Sequence, residues 1–118
     1  MQMKKDLIKI ITKGIQEKKG RNIAIIDLRK IEGAVCNHFI ICEGGSPAQI
    51  EAIAESIGDM ARAEGEKPTN VIGLNNCQWV AMDYVDVIVH IFLPDVRQYY
   101  DIEHLWEDAK IKRIKDED

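Results

Sequence analysis

The residues that could do chemistry are few and scattered. Gly45-Ser46 stands just before an apolar stripe, a setting in which a helix N-terminus can receive a phosphate. The same stretch spells an ordinary helix start. Ser46 can cap, Pro47 fits the first helical position, and Gln49 completes a capping box. The cap is the plainer reading, because Ser46 lacks the Gly-x-Ser-x-Gly elbow of a hydrolase nucleophile. His38, His90 and His104 have no evident carboxylate and nucleophile partners. His90 alternates with Ile88 and Phe92 in an apolar run, which suits a hydrogen-bonded core histidine better than a base. Cys36, Cys42 and Cys77 are odd in number and show no CxxC spacing. They read as reduced, mostly buried small hydrophobes, and a zinc site shared with His38 would need other spacings. No catalytic set, metal site or cofactor is expected.

A different chemistry gathers between Gly73 and Trp106. Trp79, Tyr84, Tyr99, Tyr100 and Trp106 are five of the seven aromatic residues. Trp79 and Tyr84 are expected to flank a hairpin turn beside Asp83 and Asp86, where a strand end meets water. Aromatic anchors ringed by carboxylates suit a basic protein partner. Trp106 and Tyr99 read instead as core residues.

The surrounding pattern supplies the elements. Met3 to Lys19 reads as an amphipathic helix with Leu7, Ile8, Ile11 and Ile15 on one side, ended by Gly20 as a left-handed cap. Asn22–Leu28 is a strand apolar on both faces, and His38–Glu43 is a second. The helix begun at Ser46 carries Ile50, Ile53, Ala54, Ile57 and Met60 and stops near Gly65. Thr69–Gly73, Gln78–Asp83 and Val85–Phe92 are three more strands, the last two antiparallel. Pro94-Asp95 opens a final helix with Tyr99, Ile102, Leu105 and Trp106 as its apolar side. The result is an α/β (α+β) fold, a mixed five-stranded sheet with flanking helices.

A chain of 118 residues is one domain, able to bury a core without disulfides. No apolar run approaches the ~20 residues of a membrane span, and the N-terminus lacks the features of a signal peptide, so a cytoplasmic protein is expected. The net charge is −4. Holding RNA by its phosphates normally takes a basic patch. The one basic cluster, Lys110, Lys112, Arg113 and Lys115, runs at once into Asp116-Glu117-Asp118. Residues 111–118 read as a frayed, solvated tail. A basic protein is therefore the expected partner. DNA and membrane are excluded, and rRNA contact is at most minor.

Taken in order, Trp79, Asp83-Tyr84, Asp86, Val89-His90-Ile91-Phe92, Arg97, Tyr100, Asp101, Glu103 and Leu105-Trp106 closely resemble the ribosomal silencing factor family, the bacterial relatives of plant Iojap. The match runs back through Gly45-Ser46, His38-Phe39-Ile40-Ile41 and Asp27-Leu28, so it covers nearly the whole chain. The resemblance implies a factor that binds the fourteenth protein of the large ribosomal subunit at the intersubunit face. Its bulk would then block joining of the small subunit and repress translation. Trp79, Asp83, Tyr84 and Asp86 carry over as contact residues. Arg97, Tyr100 and Glu103 follow on the final helix, where Arg97 and Glu103 could equally form internal salt bridges. A homodimeric scaffold is one alternative.

The family's fold is like that of the nucleotidyltransferases, which makes an enzyme the other alternative. Nucleotidyl transfer needs two carboxylates on one strand face to hold Mg²⁺. Asp83 and Asp86 are three apart across a turn, which does not fit. The chain also departs from the family pattern. Val85 stands where Gly is usual, Asn37 where Asp is usual, and Ile72 where Glu is usual. If the glycine takes a positive φ, Val85 is strained.

Overall fold

The computed structural model describes residues 6–116. The elements run α1 (Leu7–Glu17), β1 (Arg21–Asp27), β2 (His38–Glu43), α2 (Pro47–Ala63), β3 (Asn70–Ile72), β4 (Trp79–Asp83), β5 (Val87–Phe92), α3 (Pro94–Tyr100), α4 (Ile102–Leu105) and β6 (Lys110–Ile114). They build one six-stranded mixed sheet in the order β3-β4-β5-β2-β1-β6. Only β2 and β5 are parallel neighbours; the other pairs are antiparallel.

The sixth strand corrects the expected count and the expected frayed tail. Lys110–Ile114 pairs antiparallel with β1, Ile23 opposite Ile114 and Ile26 opposite Ile111. The reason is packing. Ile111 turns to the hydrophobic cluster on one sheet face and Ile114 to the cluster on the other, so each face gains a side chain. Glu117 and Asp118 lie outside the described residues, as do Met3, Lys4 and Lys5 of the expected first helix.

One sheet face carries α1 and α2. Ile11 and Ile15 of α1 meet Ile50, Ile53 and Ile57 of α2 over Ile40, Val80, Val89 and Ile91, all fully buried. The two helices touch at Gly14, where an added Cβ would stand 3.1 Å from the Ile57 Cα. There the Ser56 hydroxyl donates to the Gly14 carbonyl (2.8 Å). Ser46 caps α2, its Oγ accepting from the Gln49 N–H (3.1 Å), and Gln49 Oε1 returns to the Gly45 N–H (2.7 Å). Gly65, with φ +84°, lies just past the end of α2. At the end of α1 the left-handed residue is Lys19 (φ 64°), not Gly20. Gly20 is needed for space, since a Cβ there would fall 2.3 Å from Ile15 Cγ2.

The other face has a thinner cover. Val96, Ile102, Trp106 and Ala109 from the chain after β5, and Ile31, Ala34 and Cys36 from the β1–β2 loop, pack on Ile26, Phe39, Ile41 and Phe92. The expected single final helix breaks at Asp101, which adopts φ 46°. The restart changes the helix phase. Ile102 and Trp106 pack inward, while Tyr99 (82% exposed) and Leu105 (74% exposed) face water. Tyr99 and Leu105 are thus surface residues, against the sequence reading. All three cysteines are free, Cys42 and Cys77 buried and Cys36 half-buried.

Candidate interaction face

The thin layer leaves the β3–β4–β5 end of its sheet face partly open. Strand alternation puts Trp79, Ala81 and Asp83 of β4 on this side, opposite Phe92, His90 and Ile88 of β5. Ile72 of β3, opposite Ala81, extends the surface and is 59% exposed. Val35, at the loop over the same face, is also exposed.

A file of rings leads from the core to this surface. Phe92 is fully buried and stacks on Trp79 with centroids 4.8 Å apart. Trp79 meets Tyr100 at 4.8 Å, and Tyr100 meets Tyr99 edge-on at 5.0 Å. Tyr100 is half exposed. Together Trp79, Tyr99, Tyr100, Asp95 and the amides Asn76 and Gln78 line a recess of about 600 Å³ between the β3–β4 loop and α3. Gly73 permits the loop's close approach: it has φ +93°, and a Cβ there would meet the Trp79 carbonyl oxygen at 2.0 Å.

Trp79 is fixed from beneath. Its Nε1–H donates to His90 Nδ1 (3.1 Å). An indole nitrogen can only donate, so Nδ1 of His90 is unprotonated and the ring proton sits on Nε2. Burial pushes the His90 pKa down to about 4, which keeps the ring neutral. His90 is the hydrogen-bonded core histidine its alternation suggested.

Tyr100 is held by the ionic cluster beside it in sequence. Arg97 is 7% exposed and donates to Glu103 (2.9 and 3.0 Å), Glu43 (3.1 Å) and the Asn22 carbonyl (2.6 Å). Arg113 adds a bond to Glu103 (3.2 Å). Burial works against the Arg97 charge, but its bonds to Glu103 more than offset that and raise its pKa. The Arg97 hydrogen bond holds the Glu103 carboxyl below its usual range. Arg97 and Glu103 therefore tie α3 and α4 to β1 and β2.

The turn falls between Asp83 and Val87, as the sequence suggested, but Trp79 does not stand beside it. Trp79 sits opposite Phe92, at the far end of β4 from the turn, where Asp83 faces Ile88. Trp79 and Tyr84 therefore do not flank one turn. Tyr84 shares the parity of Val80 and Met82 and packs with them in the α1–α2 core, only 5% exposed. The hydroxyl of Tyr84 has no partner among the described residues, and burial raises its pKa. The Asp86 N–H reaches the Tyr84 carbonyl (3.0 Å) across Val85, which takes φ 75°. Asp83 Oδ1 accepts from the Val85 N–H (2.8 Å), and the Asp86 carbonyl accepts from Asn37 and His38. Both acids thus help build the turn.

Of the expected contact residues, the fold brings Trp79 and Tyr100 together, with Asp83 on the same face and Asp86 at its end. Tyr84 is turned into the core, and Arg97 and Glu103 are spent on each other. Tyr99, expected in the core, and Asp95, expected only at a helix start, also line the recess. Among the described residues, no three His, Cys, Asp or Glu side chains gather as metal ligands, and no helix is long and apolar enough to cross a membrane.

Comparison with known proteins identifies the family and the fold. The family described as "Ribosomal silencing factor during starvation" matches residues 1–118. The ribosomal silencing factor RsfS of Bacillus subtilis is 36% identical over 107 residues, covering 91% of this chain and 90% of that protein. The chloroplastic protein Iojap of Zea mays is 31% identical over 102 residues, 84% of this chain and 42% of that protein. A crystal structure of a Chromobacterium violaceum protein superposes with a TM-score of 0.84 at 31% identity, covering 90% of this chain and 88% of the other.

Proposed function

The chain belongs to the ribosomal silencing factor family, and on that premise we propose that it binds the large ribosomal subunit through the open β3–β4–β5 face and blocks joining of the small subunit. The partner is the fourteenth protein of the large subunit, and the setting is the cytoplasm. The mechanism is occlusion. The bound domain occupies space the small subunit needs, and no bond is made or broken. The observation that carries this reading is the file Phe92, Trp79, Tyr100 and Tyr99, which emerges from the core beside Asp95. Rigid aromatic anchors cost little entropy on binding, and the neighbouring carboxylates complement a basic protein surface. Trp79 and Tyr100 are the anchors, with Tyr99, Asp95 and Asp83 around them. Arg97 and Glu103 hold the platform without touching the partner.

Sedimentation of ribosomal subunits at low magnesium, with and without the protein, tests the proposal. The protein is expected to travel with large subunits and not with small ones, and to raise the free-subunit fraction as magnesium is restored. Equal association with both subunits, or with neither, overturns it.

A further inference from the structure

The basic cluster read from sequence as a solvated tail is an ordered sheet edge, and it faces a second set of lysines. Lys112 of β6 lines a groove of about 510 Å³ with Lys9 and Lys13 of α1. Ile8, Ile25 and Ile114 form its apolar part, with Thr12 and Gln16 along the helix. Lys110 shares the Lys112 side of the strand by alternation. Among the described residues, Lys9, Lys13 and Lys112 have no ion-pair partner. Two carboxylates, Asp6 and Glu17, lie at the groove's ends, and Asp6 is occupied capping the helix.

Folding does not explain these lysines. On an edge strand, lysine guards against pairing with other chains, which accounts for Lys110 and Lys112. It does not account for Lys9 and Lys13. They are four apart on one helix, a spacing at which like charges repel. Lys9 also lies in the first turn, where the helix dipole disfavours a cation. Two local preferences are overridden to aim positive charge into one groove.

The acidic side chains gather elsewhere, on α2 and at the β4–β5 turn. Glu51, Glu55 and Asp59 line the groove beside β3, where Arg62 pairs with Asp59, and Asp83 and Asp86 stand at the β4–β5 turn.

We infer that the α1–β6 groove is a second docking surface, which takes the phosphate backbone of ribosomal RNA while the aromatic face takes the basic protein. The inference rests on the ribosome-binding reading above. Three flexible ammonium groups on a polar-rimmed groove suit phosphates, which accept point charges without a fixed geometry. Contact at both edges would fix the rotation of the domain about its protein anchor.

The test is the salt dependence of binding to purified large subunits. Each phosphate neutralised contributes about 0.7–0.9 to the slope of log affinity against log salt. The variant Lys9→Gln/Lys13→Gln/Lys112→Gln is expected to have a slope shallower by about 2 and at least tenfold weaker binding at low salt, with an unchanged or higher melting temperature. The control Lys30→Gln, on the β1–β2 loop and outside the groove lining, is expected to keep the wild-type slope. Formaldehyde cross-links from Lys9, Lys13 and Lys112 in the wild-type complex should map to nucleotides. A triple variant with wild-type slope and affinity, an equal effect in the control, or cross-links to an acidic protein segment overturns the inference and leaves the protein-anchor reading standing. Failure of the wild-type chain to bind large subunits removes both.

Discussion

Replacing Val85 with glycine should stabilise the fold, and the comparison with alanine makes the reasoning testable. Val85 takes φ 75°, a conformation that β-branched residues avoid because their Cβ crowds the backbone. Two hydrogen bonds impose it. The Val85 N–H is held by Asp83 Oδ1, and the Asp86 N–H by the Tyr84 carbonyl. Neither bond uses the valine side chain, which is 60% exposed in residue terms and contributes little packing. Strain of this kind costs ~1–3 kcal/mol. Glycine removes it at an entropic cost of roughly 0.5–1 kcal/mol. Val85→Ala loses the same side-chain contacts and keeps a Cβ at positive φ. The expected result is that Val85→Gly is more stable than Val85→Ala by about 1 kcal/mol.

Urea unfolding followed by circular dichroism, with equal m-values for the variants, measures that difference. In a thermal melt it should separate the two variants by roughly 4 °C. At an unstrained strand position the order is reversed, and alanine is the more stable. A result with alanine equal to or above glycine would therefore refute the claim that Val85 is strained. Ribosome binding should be unchanged in both variants, because Trp79 and Tyr100 lie at the other end of β4.

The other expectations are briefer. His90 is held neutral with its pKa lowered from 6.5 to about 4, so the unfolded chain binds more protons between these values and stability falls as pH drops from 6.5 to 4, by up to ~3 kcal/mol; in His90→Gln this part of the acid loss should vanish in pH-resolved urea titrations. Tyr84→Phe removes a buried hydroxyl without a partner among the described residues and should leave stability unchanged or raised in a thermal melt, with large-subunit binding intact. Ser46→Ala deletes the cap on the Gln49 N–H and should cost roughly 0.5–2 kcal/mol in urea unfolding, without altering binding per folded molecule. Tyr100→Ala should weaken large-subunit binding by about 1 kcal/mol or more with a small change in melting temperature, because the ring is half exposed.

Local pattern made much of the fold legible. The Ser46 cap, the stripe of α2 and the strands from Arg21 to Phe92 follow from periodicity and turn chemistry, with ends shifted by a residue or two. Strand β6 was hidden because Ile111 and Ile114 serve opposite faces and the residues between them are cationic, so no single-face alternation exists. The error on Tyr84 had a readable antidote. It continues the parity of Val80 and Met82, which outweighs its place beside the turn. Tyr99 was misplaced because the helix break at Asp101 depends on where Arg97 must reach. That reach goes to Glu43 and Asn22, partners far away in sequence. The pairing of Trp79 with Tyr100 is equally non-local: the site's members were visible and their geometry was not.

The same non-local ties set how the surface can work. Tyr100 stands on a seven-residue helix whose own N-cap makes no side-chain hydrogen bond, and such a helix is too short to hold itself in water. Its order comes from Arg97 beneath it, satisfied by two carboxylates and a carbonyl, and from the Trp79 ring that His90 orients. The aromatic file is therefore built before the partner arrives, so binding need not include the cost of ordering it. That matters under the occlusion proposed above, in which the factor would have to outcompete small-subunit joining by affinity or concentration alone. It also separates two kinds of loss. Removing an anchor ring lowers affinity and leaves the domain folded. Removing the Arg97 guanidinium leaves half-buried Glu103 with Arg113 alone and Glu43 with the Asn22 amide alone, and loosens the whole α3–α4 layer, so Arg97→Met should lower affinity and melting temperature together. Thermal melts and subunit sedimentation on that variant decide the point: lost binding with an unchanged melt would mean that Arg97 touches the partner directly.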